Sequence, residues 1–152
     1  MNVIFIAAFS TLLCQSSDAA FTWLHSDDSV NFVQGEAARL NWTVDVGPNF
    51  TWSSVEIGRN KVTSEVGKQD VIRLLEQSGR KDVYLTNRAA DLDLKVKSSL
   101  NIINVVFELS NLKVADEMFY RINVMNTDFR SAANYTKLIV NGEFQCTICR
   151  NL

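Results

Sequence analysis

The sequence predicts an all-β sandwich built from short strands. Two observations favour it: apolar and polar residues alternate over many short runs, and turn-forming residues separate these runs. The chain has 152 residues, of which 47% are hydrophobic and 21% are charged, as in ordinary globular proteins. This length suits one domain, and the spacing of the runs predicts about eight or nine strands in it.

The predicted strands are recognised by apolar residues at every second position, which is the period of a strand with one buried face. Val71, Ile72, Leu74 and Leu75 are also spaced like one face of a helix, so a short helix is the alternative there. Turn signals lie at Gln34-Gly35, Val46-Gly47-Pro48-Asn49, Gly58-Arg59-Asn60, Ser78-Gly79 and Asn126-Thr127-Asp128. The alternating apolar positions are Val30 and Phe32; Ala38, Leu40, Trp42 and Val44; Val55 and Ile57; Leu92, Leu94 and Val96; Phe107 and Leu109; Tyr120, Ile122 and Val124; Leu138 and Val140.

A secretory signal peptide is predicted over residues 1–19. An apolar run from Val3 to Cys14 is followed by small and polar residues that end at Ala19, which is the layout of such a leader. No Lys or Arg precedes the run, so a short membrane anchor is the alternative, although about twelve residues fall short of the about twenty that span a bilayer. We therefore expect a secreted, extracellular product without a membrane span.

Three N-glycosylation sequons agree with secretion. They begin at Asn41, Asn49 and Asn134, and we expect glycans on at least some of them. The expected organisation is a signal peptide over 1–19, one domain over 20–141 and a tail over 142–152.

The tail carries a possible disulfide. Cys14 leaves with the leader, so Cys146 and Cys149 are the remaining cysteines. They can form a strained local bridge, link two chains, or be an incidental feature of the tail. A redox role is disfavoured because no helix can follow a motif so close to the end.

Catalysis, metal binding and nucleic-acid binding are not expected. His25 is the single histidine and lies near the expected mature N-terminus, and one histidine does not make a zinc site. The formal net charge is −2 and the basic residues are scattered, unlike a nucleic-acid-binding surface. No cofactor is expected, and a non-enzymatic binding protein is the reading that remains.

The segment from Phe107 to Val124 resembles the corner between strands E and F of immunoglobulin domains. In that family an alternating strand is followed by Asn-Leu and then by Asp-x-Gly-x-Tyr-x-Cys, and here Asp116 and Tyr120 match the pattern. The resemblance implies that Tyr120 is the corner tyrosine, hydrogen-bonded to the backbone upstream. It also implies a basic partner for Asp116, for which the candidates are Arg88, Lys95 and Lys97.

The segment from Gly35 to Val44 resembles strand B of the same family. Aligning both segments puts Trp42 and Ile122 at the two positions where the family has cysteines, so we expect a core of Trp42, Ile122, Tyr120 and Asp116 without an inter-sheet disulfide. Met118 replaces the glycine of the corner motif. The family also has a tryptophan on strand C, which is not clearly present here. Trp52 is a candidate for it, but Val55 and Ile57 fit the inward alternation of that strand better.

The separation of Trp42 and Ile122 leaves room for the extra strands C′ and C″, so the expected fold is an immunoglobulin-like Greek-key β-sandwich of the variable type. Such domains without the core disulfide resemble the adhesion domains of CD2 and SLAM-like receptors and the immunoglobulin-type recognition proteins of invertebrates. The resemblance implies binding of another immunoglobulin-like domain, homophilic or heterophilic, through the exposed G-F-C-C′ face. The residues expected there and at the F–G turn are Glu56, Phe119, Arg121, Asn123, Asp128, Phe129, Arg130, Tyr135 and Lys137.

Three functions are therefore compared. The first is cell–cell recognition or adhesion, for which a homodimer is one expected state. The second is a soluble decoy or immune regulator of a surface receptor. The third is a carrier that holds a small ligand in the core, and a large cavity between Trp42 and Ile122 would favour it.

Overall fold

A computed structural model of the chain describes residues 21–128 and 130–142. The predicted signal peptide, Phe129 and the pair Cys146 and Cys149 lie outside the described residues. Ten strands occur in the described part, joined by turns and two 3-10 helices, at Thr86–Asp91 and Val114–Asp116. The strands are β1 (Thr22–Ser26), β2 (Ser29–Val33), β3 (Ala38–Asp45), β4 (Trp52–Asn60), β5 (Gln69–Leu75), β6 (Lys81–Val83), β7 (Leu92–Ser99), β8 (Ile102–Leu109), β9 (Phe119–Asn126) and β10 (Ser131–Asn141).

The strands form two packed sheets. One sheet has the order β1-β3-β8-β7 and the other has the order β2-β10-β9-β4-β5-β6. Strands β5 and β6 extend the second sheet beyond β4, which distinguishes the variable-type immunoglobulin arrangement from the constant type. The predicted all-β, variable-type sandwich is confirmed: β4, β5, β6, β9 and β10 correspond to C, C′, C″, F and G, and β3, β7 and β8 to B, D and E.

One open alternative is decided and one local expectation was wrong, in both cases because pairing with distant strands decides the local structure. The segment with helical spacing is strand β5, in which Ile72 pairs with Ile57 of β4. The predicted turn at Gly58-Arg59-Asn60 belongs to β4, since Gly58 pairs with Arg121 of β9. The turn between β4 and β5 follows at residues 61–68.

Apolar residues of both sheets fill the core. Trp42, Ile122, Val55 and Ile57 are fully buried, whereas Trp52 is only partly buried at the start of β4. The indole Nε1 of Trp42 donates a hydrogen bond to Oγ1 of Thr136 over 3.0 Å. Because Trp42 belongs to the four-stranded sheet and β10 to the six-stranded one, this bond links the two sheets through the centre of the sandwich.

The corner before β9 has the predicted tyrosine geometry. The hydroxyl of Tyr120 donates to the carbonyl oxygen of Asp116 over 3.1 Å. Among the three candidate partners for Asp116, the structure selects Arg88, whose Nη1 donates to both carboxylate oxygens over 2.8 and 2.7 Å. Lys95 pairs with Asp93 instead.

Burial of Tyr120, together with the Asp116 charge, raises the pKa of its hydroxyl to about 12. The folded state therefore holds this proton more tightly than the unfolded state, whose tyrosine pKa is about 10. The stabilisation is fully present below pH about 10 and is lost as the pH rises through about 12. In a pH titration of tyrosinate absorbance, we expect the last tyrosine to ionise near pH 12, and Tyr120→Phe to remove that step. Persistence of the step in Tyr120→Phe would contradict the assignment.

Candidate functional site

The outer face of the six-stranded sheet gathers six of the residues predicted for binding. Residues directly opposite each other on antiparallel strands share a face, so the register decides which side chains lie together. Arg121 of β9 lies opposite Gly58 and Tyr135, and Asn123 lies opposite Glu56 and Ala133. We call this surface the outer face; its predicted residues are Glu56, Phe119, Arg121, Asn123, Tyr135 and Lys137.

Two of the three charged residues predicted on the outer face are paired within the chain, whereas the sequence suggested charges open to solvent. Glu56 forms an ion pair with Arg73, and Arg121 forms one with Glu65. The side chains of Glu56 and Arg121 are each 15% exposed. Burial alone lowers the pKa of Arg73, but the charge and the hydrogen bond of Glu56 outweigh it, so that the pKa is raised.

The turn between β4 and β5 folds over part of the outer face. A Cβ atom on Gly58 would lie 2.7 Å from Cδ of Lys68, so the absence of a side chain lets Lys68 cross the strand there. Glu65 of the same turn contacts Arg121 and lies 3.4 Å from the Tyr135 hydroxyl. A glycine inside a strand is the sequence signal for such a close approach, and the turn interpretation of Gly58 missed it.

Asn123 lies at the centre of the outer face and is 7% exposed. Its side-chain Oδ1 is buried and has no hydrogen-bond partner in the described part of the protein. A buried acceptor without a donor is rare in folded proteins.

The turn between β9 and β10 lies at one end of the outer face. Asn126 Oδ1 accepts hydrogen bonds from the backbone N–H groups of Asp128 and Arg130, over 3.0 and 2.8 Å. The Arg130 guanidinium lies 5.6 Å from the centre of the Phe21 ring. The predicted residues Asp128 and Arg130 are thus held on an ordered turn, next to the outer face rather than on it.

At the opposite end of the same strands, Lys137 and Phe119 lie side by side. The Lys137 ammonium is 5.8 Å from the centre of the Phe119 ring, a distance at which a cation is attracted to an aromatic face. The two residues are directly opposite on β10 and β9. This pair leaves the lysine charge at the edge of the outer face.

The sequons differ in their relation to the outer face. Asn41 lies on β3 in the other sheet, and Asn49 lies in the exposed loop before β4 with a positive φ of 65°. Asn134 was expected on or near the outer face, but it pairs with Ile122, whose side chain points into the core. It therefore lies on the inward side of β10. Glycosylation of all three stays a prediction.

Metal-binding clusters and membrane-spanning helices are the two remaining features to place. Across 21–128 and 130–142, no cluster of three or more His, Cys, Asp and Glu is placed to hold a metal ion. His25 is exposed and lies 3.7 Å from Asp27. In the same ranges, no helix has the length and apolar character to cross a membrane.

Comparison with known proteins supports the fold. No protein-family model and no curated protein matches the chain in sequence. Among the solved structures that match, that of murine CRIg aligns with a TM-score of 0.63 and 13% identity, over 80% of this chain and 98% of the other. Identity this low transfers no residue role between the two proteins. Together with the strand order, the comparison shows that the chain has the immunoglobulin-like β-sandwich fold of the variable type.

Proposed function

We propose that the chain is an extracellular recognition or adhesion protein that binds another protein through the outer face, without enzymatic activity. The observation that carries the proposal is the gathering of the six predicted residues from β4, β9 and β10 on one surface. Two aromatic residues, an arginine and a lysine lie on this surface. Aromatic residues and arginine are enriched in protein interfaces.

The partner proposed for this face is another immunoglobulin-like domain, either a second copy or a different chain. The outer face and its covering turn carry both signs of charge, for example Lys68 beside Glu65. In a twofold dimer each patch meets its own copy, so a surface with both signs can place acid against base. This charge distribution supports a second copy as the first partner to test.

The two other functions gain less support. A soluble decoy would use the same outer face, so the experiment below applies to it equally. A carrier needs space between the sheets, whereas Trp42 and Ile122 are fully buried and Trp42 is bonded across the core to Thr136. Two surface cavities, of about 340 and 540 Å³, are lined by other residues.

The substitution Ala133→Arg tests most directly whether the outer face binds a partner. Ala133 is exposed and lies opposite Asn123, so the added side chain blocks the centre of the face without removing an internal contact. If two copies associate there, we expect this change to weaken self-association at least about tenfold, as loss of a central interface contact does. Analytical ultracentrifugation of the full chain measures it.

The matched control is Ala89→Arg, which adds the same charge and bulk at an exposed site on the first 3-10 helix. It is expected to leave association unchanged. Runs with reductant separate association through the face from a link through Cys146 or Cys149. A dimer that survives reductant and both changes would contradict the outer face as the interface, and a strict monomer throughout would contradict self-recognition.

Arg121→Glu alone is a less clear test, because it also breaks the internal pair with Glu65. The double change Glu65→Arg with Arg121→Glu restores that pair with reversed charges. If association depends on the sign of Arg121 itself, both variants lose it. If association depends only on the internal pair that holds the turn in place, the double change restores association.

A further inference from the structure

A second candidate site lies beyond the outer face, at the end of the domain where the turns meet. A surface cavity of about 340 Å³ opens there between the start of β4, the turn after β5 and the turn after β9. Its volume is near the lower limit of ligand pockets, about 300 Å³, which suits one side chain. The cavity is lined by Thr51, Trp52, Ser53, Leu75, Glu76, Gln77, Ser78 and Thr127.

The walls of this cavity are held by hydrogen bonds. The Ser53 hydroxyl donates to the backbone oxygen of Met125 over 3.1 Å. The backbone N–H of Glu76 donates to the backbone carbonyl oxygen of Ser53 over 3.0 Å. The backbone N–H of Leu75 donates to the backbone carbonyl oxygen of Arg80, also over 3.0 Å. A site whose walls are fixed before binding loses less entropy when a ligand enters.

The lining combines one aromatic ring with one free carboxylate. Trp52 is partly buried against the core and also contributes to the cavity wall. Among the described residues, no hydrogen bond or ion pair involves the Glu76 carboxylate, which is exposed. The nearby Arg80 does not neutralise it, because its guanidinium pairs with Asp82 over 2.9 Å.

A cavity lined by an indole and an unpaired carboxylate is suited to a cation with an apolar stem. Arginine fits best, since its planar guanidinium stacks on aromatic rings and donates several hydrogen bonds to a carboxylate. Hydroxyl and amide groups of Thr51, Gln77 and Thr127 complete the lining and can accept the remaining N–H groups.

We propose that this cavity is a pocket for an arginine side chain of a partner protein, with Trp52 as the stacking surface and Glu76 as the anion. The proposal does not need the outer face to bind anything. It names a contact that a partner reaching over the end of the domain would make.

The test titrates the full chain with N-acetyl-arginine amide and follows the indole N–H resonance of Trp52 by NMR. Trp52→Phe identifies that resonance. We expect a saturable shift, and we expect Glu76→Gln, which keeps the shape and removes the charge, to weaken binding about tenfold. Asp28→Asn, which removes an exposed carboxylate that does not line the cavity, is the matched control and is expected to leave the affinity unchanged.

Two further probes make the test decisive. N-acetyl-norleucine amide has an apolar stem without the charge and is expected not to bind. Tetramethylammonium has the charge without the stem, and binding as tight as that of the arginine probe would assign the pocket to small free cations and overturn the proposal. Absence of any shift, or equal affinity in Glu76→Gln, would overturn it as well. None of these outcomes depends on self-association, so failure here is distinguishable from failure of the outer face.

Discussion

Trp42→Ala is expected to lower the free energy of unfolding by about 3–5 kcal/mol, the range for deleting a buried aromatic side chain. Trp42 is 1% exposed and its indole is bonded to Thr136 of the opposite sheet. The loss is a large fraction of the about 5–15 kcal/mol that stabilises a typical domain. Urea unfolding followed by circular dichroism measures it without relying on the fluorescence of the missing tryptophan.

Two further variants separate the free-energy cost of the lost side-chain volume from that of the lost hydrogen bond. Thr136→Val keeps the shape but leaves the buried indole N–H without an acceptor, which costs about 1–3 kcal/mol. It also removes the hydrogen bond that the Thr136 hydroxyl donates to the Asp27 backbone oxygen over 2.7 Å. Trp23→Ala removes a tryptophan that is only partly buried on β1 and should cost clearly less than Trp42→Ala. Equal costs at the two tryptophans would show that Trp42 is not the central link between the sheets.

Arg88→Met is expected to cost about 3–5 kcal/mol, because it leaves the buried Asp116 carboxylate without its main counter-charge. The side chains of Arg88 and Asp116 are 7% and 3% exposed. Arg88 also donates to the backbone oxygens of Ser110 and Asn111, over 2.9 and 3.1 Å. Burial alone lowers the pKa of Arg88, but hydrogen bonds to Asp116 and Asp91 outweigh it and raise the pKa, so Arg88 keeps its charge.

Arg59→Met is the matched control for this change. Arg59 approaches the same Asp116 carboxylate, but through one contact of 3.6 Å, so its removal should cost less. Replacing both members, Arg88→Met with Asp116→Leu, should cost less than Arg88→Met alone, since no charge is left buried without a partner. Urea unfolding of the four chains checks both orderings, and an equal cost for the two arginine changes would contradict the role given to Arg88.

Local patterns predicted the parts of the fold that depend on neighbouring residues. Tyr120 and Asp116 are four positions apart, so the corner that joins them is visible as a short motif. Alternation also predicted which side of β9 faces the core, because one buried face imposes a period of two on a strand. For the same reason, the outward direction of Arg121 and Asn123 was predictable.

The exposure of the outer face was not predictable, because it depends on contacts between distant segments. Arg73 and Glu56 meet only when β5 pairs with β4, and Glu65 reaches Arg121 only because its turn folds over Gly58. The cavity at Trp52 is a similar case, since its walls come from three separate segments of the chain. No local pattern contains such information.

The pairing of β2 with β10 has a mechanical consequence. The two strands are parallel, from Ser29 beside Lys137 to Val33 beside Asn141, and they lie close to the two ends of the described chain. A pull on these ends in opposite directions slides one strand along the other, which loads their hydrogen bonds together rather than one after another. The same bonds that complete the sheet therefore resist tension between the two ends of the domain.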